Sequence, residues 1–117
     1  MTRKIALFAF NGEIMCFVHA LINAMDLHKR GFDVKLVIEG NATKLIKDLD
    51  KKENAFHELY YNARSLGLID CVCDACSMKM GSHDAAIEQG LNLCSEMYGH
   101  PPMGRYIEDG YDIITIG

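Results

Sequence analysis

Residues 4–38 read KIALFAFNGEIMCFVHALINAMDLHKRGFDVKLVI, two apolar runs on either side of an amphipathic segment. The first run, residues 4–10, is almost wholly apolar, as in a strand buried on both faces of a sheet. Over residues 14–29 apolar side chains recur at helical spacing, with Asn11 as a candidate cap and Gly31 just past the end. Residues 34–38 are the second apolar run. The stretch predicts a strand, a helix and a second strand parallel to the first.

The same alternation continues to residue 117. Further helices are predicted over residues 43–49, 54–66, 74–80, 84–89 and 102–109, and further strands over residues 68–73, 91–94 and 112–116. Apolar strands that alternate with helices are typical of a parallel sheet covered on both faces. We therefore predict the α/β class: a single three-layer α/β/α domain over residues 1–117 with a mainly parallel, flavodoxin-like sheet of five strands.

The composition excludes several classes of protein. Half of the 117 residues are hydrophobic and 24% are charged, which is ordinary for a globular domain. Twelve basic and sixteen acidic residues leave a net charge of −4, so no nucleic-acid partner is expected. The longest apolar stretch, residues 14–25, is interrupted by polar residues and is too short to span a bilayer. Since the N-terminal apolar run ends at Asn11, no signal peptide and no membrane association are expected.

Ligands of open parallel sheets bind at the carboxyl ends of the strands. The segments that follow the predicted strands are residues 11–14, 39–43, 73–76 and 94–100. Three of the five cysteines, Cys71, Cys73 and Cys76, lie in or beside the third of these segments. His100 lies in the fourth, in a loop before two prolines, and loops often carry functional residues. We predict a cytoplasmic protein in which these cysteines are reduced thiols.

Cys73 is the strongest candidate for chemistry. It lies where the third strand ends and a helix begins, a position at which backbone N–H groups and the helix dipole lower the pKa of a thiol. Cys76, three residues on, is its neighbour if both join the helix. Cys16 and Cys71 are expected to pack as small apolar residues. We predict Cys73 and Cys76 as the catalytic pair, with Cys73 the most reactive thiol, at the open edge of the sheet.

A metal site is an alternative use of the same region. Its soft ligands would come from Cys71, Cys73, Cys76 and Cys94, with His83 or His100 as further candidates. The spacing suits structural zinc poorly, because such sites usually combine two well-separated Cys-x-x-Cys pairs. A thioredoxin-type motif has the right spacing at residues 73–76 but normally follows an early strand of a mixed sheet. We therefore expect no bound metal and no cofactor.

Several segments occur in an order that is typical of one protein family. They are the opening strand, LHKRG at residues 27–31, DVKLVIEG at residues 33–40, Val72-Cys73 before a short helix that ends at Gly81, and EDGYDIIT at residues 108–115. On these segments, which span nearly the whole chain, the sequence resembles the DsrE/DsrF-like proteins, which include sulfur-relay subunits such as TusD. The resemblance implies a three-layer α/β/α fold and assembly as a homotrimer or homohexamer.

The resemblance also implies that one cysteine after the third strand, here Cys73, accepts sulfane sulfur from a donor protein and passes it to an acceptor protein. Cys71, Cys76 and Cys94 depart from this single-cysteine pattern. The sequence thus predicts a sulfur carrier or sulfurtransferase-like relay subunit. The alternatives are a metal-binding module and a structural or regulatory oligomer without catalytic activity. The main apolar stripe of the first helix consists of Ile14, Phe17, Val18, Leu21, Ile22 and Met25. A homo-oligomer is also expected because Met15, Cys16 and Ala24 lie outside this stripe.

Overall fold

A computed structural model describes residues 2–117 and contains one five-stranded sheet in which every neighbouring pair of strands is parallel. The strands are β1 (Lys4–Ala9), β2 (Asp33–Ile38), β3 (Ile69–Cys73), β4 (Leu93–Cys94) and β5 (Asp112–Ile116). Their order across the sheet is β4-β3-β2-β1-β5. The predicted α/β class with five parallel strands is confirmed. The strand order differs from the 2-1-3-4-5 order of flavodoxin, because β1 pairs with β2 and β5.

The helices of the described residues lie close to their predicted bounds. They are α1 (Ile14–Lys29), α2 (Leu45–Leu49), α3 (His57–Ser65), α4 (Asp74–Lys79), α5 (His83–Glu88) and α6 (Met103–Glu108), with a 3-10 helix at Gly40–Lys44 before α2. Over residues 2–117, no helix is both long enough and apolar enough to cross a bilayer.

The residue that caps the start of α1 is Glu13, and not Asn11 as was predicted. Glu13 is the N-cap, and its Oε2 accepts hydrogen bonds from the N–H groups of Met15 at 2.9 Å and Cys16 at 3.4 Å. Asn11 lies in the turn before the helix, where its Oδ1 accepts a hydrogen bond from the N–H of Glu13 at 2.7 Å. A carboxylate at this end of a helix also interacts favourably with the helix dipole. Glu13 therefore caps α1, and Asn11 shapes the turn that leads into it.

Two groups of buried side chains pack on the sheet. Leu7 and Leu36 belong to the group that includes buried residues of α1, α2 and α3. Phe8 and Val37 belong to the group that includes Tyr106 of α6. Successive side chains of a strand point to opposite faces, so neighbouring residues of β1 and β2 contribute to different groups. This division confirms helices on both faces of the sheet. The strand order places the carboxyl ends of the parallel strands β2 and β3 side by side.

Candidate functional site

Three of the segments expected to hold a site meet at one edge of the sheet. Glu39 directly follows β2, Cys73 ends β3 and is the N-cap of α4, and His100 lies in the loop after β4. Cys76 lies in the first turn of α4. One oxygen, nitrogen or sulfur atom from each of these four side chains lies within 4.8 Å of those of the other three. We refer to Glu39, Cys73, Cys76 and His100 as the Cys–His–Glu cluster.

The polar atoms of the cluster surround Nδ1 of His100. This nitrogen lies 3.0 Å from Cys73 Sγ, 3.7 Å from Cys76 Sγ and 3.8 Å from Glu39 Oε1. Cys73 Sγ also accepts a hydrogen bond from the backbone N–H of Cys76 at 3.4 Å. The thiol of Cys73 can donate to the carbonyl oxygen of Gly99, which is 3.6 Å away. Two thiols and a carboxylate therefore face a single ring nitrogen.

This arrangement differs from a catalytic triad. In a triad the acid contacts one imidazole nitrogen and the nucleophile contacts the other. Here Glu39 and both cysteines approach Nδ1 of His100. The 3.0 Å contact between Cys73 and His100 still allows the imidazole to take the thiol proton. The cluster can therefore serve as a thiol–imidazole pair or as a set of ligands around one point.

Burial controls the ionisation of the cluster. Cys73 is 0% exposed and Glu39 is 8% exposed. Burial raises the pKa of the Cys73 thiol; the hydrogen bond from the Cys76 N–H opposes this rise, and the Cys76 side chain and Glu39 add to it. Burial also raises the pKa of the Glu39 carboxyl, against the opposing effects of His100 and of a hydrogen bond from Cys73. The predicted lowering of the Cys73 pKa is wrong, because desolvation of a thiolate outweighs the effect of the helix N-terminus.

The loop of residues 95–100 packs over Cys73, which is therefore not at an open edge as predicted. The carbonyl oxygen of Gly99 accepts a hydrogen bond from the N–H of Ala75 at 2.9 Å, which ties the loop to α4. Gly99 has a φ of +91°, and a Cβ there would lie 2.9 Å from the Cβ of Ala75. Tyr98, in the same loop, is 98% exposed. The loop thus brings His100 to the cysteines through close backbone contact with α4.

Cys71 and Cys94 do not join the cluster. Cys71 is fully buried, as predicted, and its Sγ lies 3.4 Å from the hydroxyl of Tyr106. Cys94 Sγ accepts a hydrogen bond from Arg105 at 3.5 Å. Although β4 lies beside β3 and pairs Cys94 with Cys73 in register, both Cys71 and Cys94 pack with the side chains on the α6 face.

The proposed four-cysteine ligand set is corrected accordingly. The structure brings Glu39 and His100 to Cys73 and Cys76 in place of Cys71 and Cys94. His83, the other histidine candidate, instead places its Nε2 3.0 Å from Asp74. Glu39 is the residue that the sequence analysis did not single out. The sequence does place Glu39 directly after a buried strand, at the edge where a site was expected. Its contact with the cysteines could not be predicted, because it depends on β2 lying next to β3.

The fold and the cluster define a class: a small parallel α/β protein with a thiol–imidazole–carboxylate group at the carboxyl edge of its sheet. No family model and no solved structure matches the chain. It is 32% identical to the uncharacterized protein MJ0733 of Methanocaldococcus jannaschii over 99 residues, which are 85% of this chain and 78% of the relative. The chain therefore belongs to the family of this archaeal protein.

Two uncharacterized proteins of Archaeoglobus fulgidus are similar to shorter parts of the chain. One is 46% identical over 43 residues, which are 37% of this chain and 70% of the relative. The other is 46% identical over 35 residues, which are 30% of this chain and 95% of the relative.

Proposed function

We propose that the protein is a sulfur carrier, a DsrE/DsrF-like relay subunit that accepts sulfane sulfur on Cys73. The observation that carries this proposal is the contact of 3.0 Å between Cys73 Sγ and the imidazole of His100, with a second thiol, Cys76, in the same cluster. The thiolate is the nucleophile in reactions at sulfur, and an adjacent imidazole activates a thiol by accepting its proton. The cluster therefore has the nucleophile and the base that sulfur transfer needs.

Loading and unloading are two exchange reactions at sulfur. Nδ1 of His100 accepts the proton of Cys73, and the resulting thiolate attacks the outer sulfur of a persulfide on the donor protein. The S–S bond of the donor breaks, its thiolate leaves, and Cys73 carries the persulfide. An acceptor thiolate then attacks the outer sulfur of that persulfide, and Cys73 leaves as a thiolate. One sulfane sulfur atom moves, with no external oxidant or reductant.

Cys76 is the second thiol of the proposed carrier. Its thiolate can attack Cys73 Sγ of the persulfide, which forms a Cys73–Cys76 disulfide and releases hydrosulfide. The two sulfur atoms lie within 4.8 Å of each other, so this reaction needs only a small movement. Cys76 thereby limits the lifetime of the loaded state.

Access to Cys73 requires movement of the loop of residues 95–100, because Cys73 is 0% exposed. We propose that this loop opens transiently in the free protein, which admits a small donor such as polysulfide, and that contact with a donor protein favours the open state. We also propose that the carrier is a homotrimer or homohexamer in the cytoplasm, where its thiols stay reduced.

Intact-mass analysis after incubation with inorganic polysulfide, followed by peptide mapping, tests the assignment of Cys73. The wild-type protein is expected to gain sulfur on Cys73, and Cys73→Ser is expected to abolish the gain. Cys76→Ser should load and keep its persulfide longer. Cys94→Ser removes a thiol outside the cluster and should behave as wild type. Extra sulfur on Cys76 or Cys94, with Cys73 unmodified, would contradict the assignment.

The role of His100 has its own test. His100→Ala is expected to slow loading in a single-turnover experiment by about 10²-fold, the usual effect of losing a general base. His83→Ala is the matched control, since His83 contacts Asp74 outside the cluster. Equal loading rates for the two variants would show that the imidazole of His100 does not activate Cys73.

A further inference from the structure

We propose that the Cys–His–Glu cluster binds one divalent metal ion of the zinc class, although the cysteine spacing alone predicted no bound metal. Two thiolates, an imidazole and a carboxylate are ligand types that Zn²⁺ uses in proteins. The cluster supplies four such groups, which is the number in a closed structural or regulatory site. They come from three segments that are distant in the sequence: the end of β2, the β3–α4 junction and the loop after β4.

The distances from His100 to the other three side chains lie within about 0.5 Å of those around a tetrahedral ion. Zn–S bonds of about 2.3 Å and Zn–N bonds of about 2.0 Å place neighbouring ligand atoms about 3.3–3.8 Å apart. Nδ1 of His100 lies 3.7 Å from Cys76 Sγ, close to the roughly 3.5 Å of a tetrahedral N–S pair. Its distance to Glu39 Oε1, 3.8 Å, is about 0.5 Å longer than that of a tetrahedral N–O pair. Its distance to Cys73 Sγ, 3.0 Å, must increase by roughly 0.5 Å. Shifts of this size are within reach of small side-chain rotations, so these distances are compatible with one ion bound by all four side chains.

Glu39 provides an independent reason to expect a cation. Its carboxyl group is buried, and its Oε1 lies 3.8 Å from Nδ1 of His100, an imidazole that is charged only when protonated. Buried carboxylates are normally paired with an opposite charge or coordinate a metal. A metal ion between Glu39 and the two cysteines would supply that charge. One ligand atom from each of the four side chains lies within 4.8 Å of the other three, as the ligands of a single ion must.

Metal binding has a consequence that rests on the proposed function. An ion bound to Cys73 Sγ occupies the atom that would carry the persulfide. The metal-bound and sulfur-loaded states therefore exclude each other, and the ion would act as an inhibitor of loading. The binding itself does not depend on sulfur transfer.

The test is a titration of the reduced, chelator-treated, full-length protein with Zn²⁺ under anaerobic conditions, in competition with a chromophoric chelator. Wild-type protein is expected to bind one ion per chain. Cys76→Ser, His100→Ala and Glu39→Gln should each weaken binding by at least about tenfold. Cys94→Ser and His83→Ala remove the same residue types outside the cluster and should bind as wild type. Titration with Co²⁺ should add the absorption bands of tetrahedral thiolate coordination.

Thermal unfolding of each variant without metal checks that it is folded, and at equal Zn²⁺ the three cluster variants should gain less melting temperature than wild type. Absence of binding, or binding that His100→Ala and Glu39→Gln leave unchanged, would overturn the proposal.

Sulfur loading is measured on metal-free protein, so the metal site and the sulfur carrier can be contradicted separately. Zinc binding without loading supports the metal site and contradicts the carrier, whereas loading without zinc binding does the reverse. Loading that persists at saturating Zn²⁺ would overturn the mutual exclusion.

Discussion

Cys73 experiences two opposing effects on its thiol. Its Sγ accepts the N–H of Cys76, which lowers the pKa, but burial raises the pKa more strongly. At neutral pH the resting residue is therefore a protonated, covered thiol. The proposed activation of this thiol therefore depends on the imidazole of His100 and on displacement of the loop of residues 95–100, since the helix N-terminus alone does not lower the pKa below its usual value.

The order of thiol alkylation follows from this burial. In the folded, metal-free protein near neutral pH, we expect iodoacetamide to modify Cys76 before Cys73, since Cys76 is half-buried and Cys73 is 0% exposed. Cys71 should react last, because it is fully buried and burial raises the pKa of its thiol. This order reverses the expectation that Cys73 is the most reactive thiol.

Time-resolved peptide mapping measures this order. The same mapping in denaturant is the control, since the differences due to burial should largely disappear there. Modification of Cys73 ahead of Cys76 in the folded protein would show that the loop opens faster than the reagent reacts.

At the scale of one element, the loop of residues 95–100 depends on Gly99. Its φ of +91° disfavours any residue with a side chain, and an added Cβ would lie 2.9 Å from Ala75 Cβ. We expect Gly99→Ala to lower the free energy of unfolding by about 1–3 kcal/mol. The same substitution should accelerate alkylation of Cys73, because the displaced loop exposes it.

Gly90→Ala is the matched control for this substitution. Gly90 also has a positive φ, +72°, but a Cβ there meets no atom within 4 Å. Gly90→Ala should therefore lower stability through backbone strain without exposing Cys73. Denaturant unfolding and peptide mapping are measured on both variants. A Gly99→Ala protein that is destabilised but still protects Cys73 would show that the loop is not the cover.

At the scale of the whole molecule, α1 carries an apolar surface that the chain leaves exposed. Met15 is 50% exposed and Ile22 is 43% exposed, and residues seven apart lie on the same face of a helix. Ala24, which was expected to lie outside the buried stripe, is 0% exposed and belongs to the core. Ile22, which was predicted in the buried stripe, is instead exposed, and Cys16 is half-buried. On α1, the exposed apolar surface is therefore formed by Met15 and Ile22.

We expect light scattering to give three times the mass of the chain, or six times if two trimers associate. Ile22→Glu should lower the mass toward that of one chain, because a buried carboxylate at the interface would be desolvated without a partner. Ile107→Glu alters another exposed isoleucine, 60% exposed, on α6 and is the control. A wild-type protein that has the mass of one chain at micromolar concentration would contradict the predicted assembly.

Local sequence patterns determined the elements of this protein. The predicted bounds of α1 (Ile14–Lys29) and β5 (Asp112–Ile116) agree with the structure, and the β1 prediction is one residue too long. These bounds depend on hydrophobic periodicity and nearby stop signals, which a short stretch of chain contains in full. The alternation of strand and helix also located the edge of the sheet, and with it Cys73, Cys76 and the loop of His100.

Only the tertiary structure decided how these residues meet. The strand order places β2 beside β3, so that Glu39 reaches Cys73. Cys71 and Cys94 pack with the side chains on the α6 face and therefore lie outside the cluster. The burial that raises the pKa of Cys73 comes from folding, including a loop more than twenty residues further along the chain. Periodicity reports which face of an element is apolar, but it contains no information about which distant segment will cover a given side chain. For that physical reason the sequence located the cysteines, whereas their partners and ionisation depend on the folded chain.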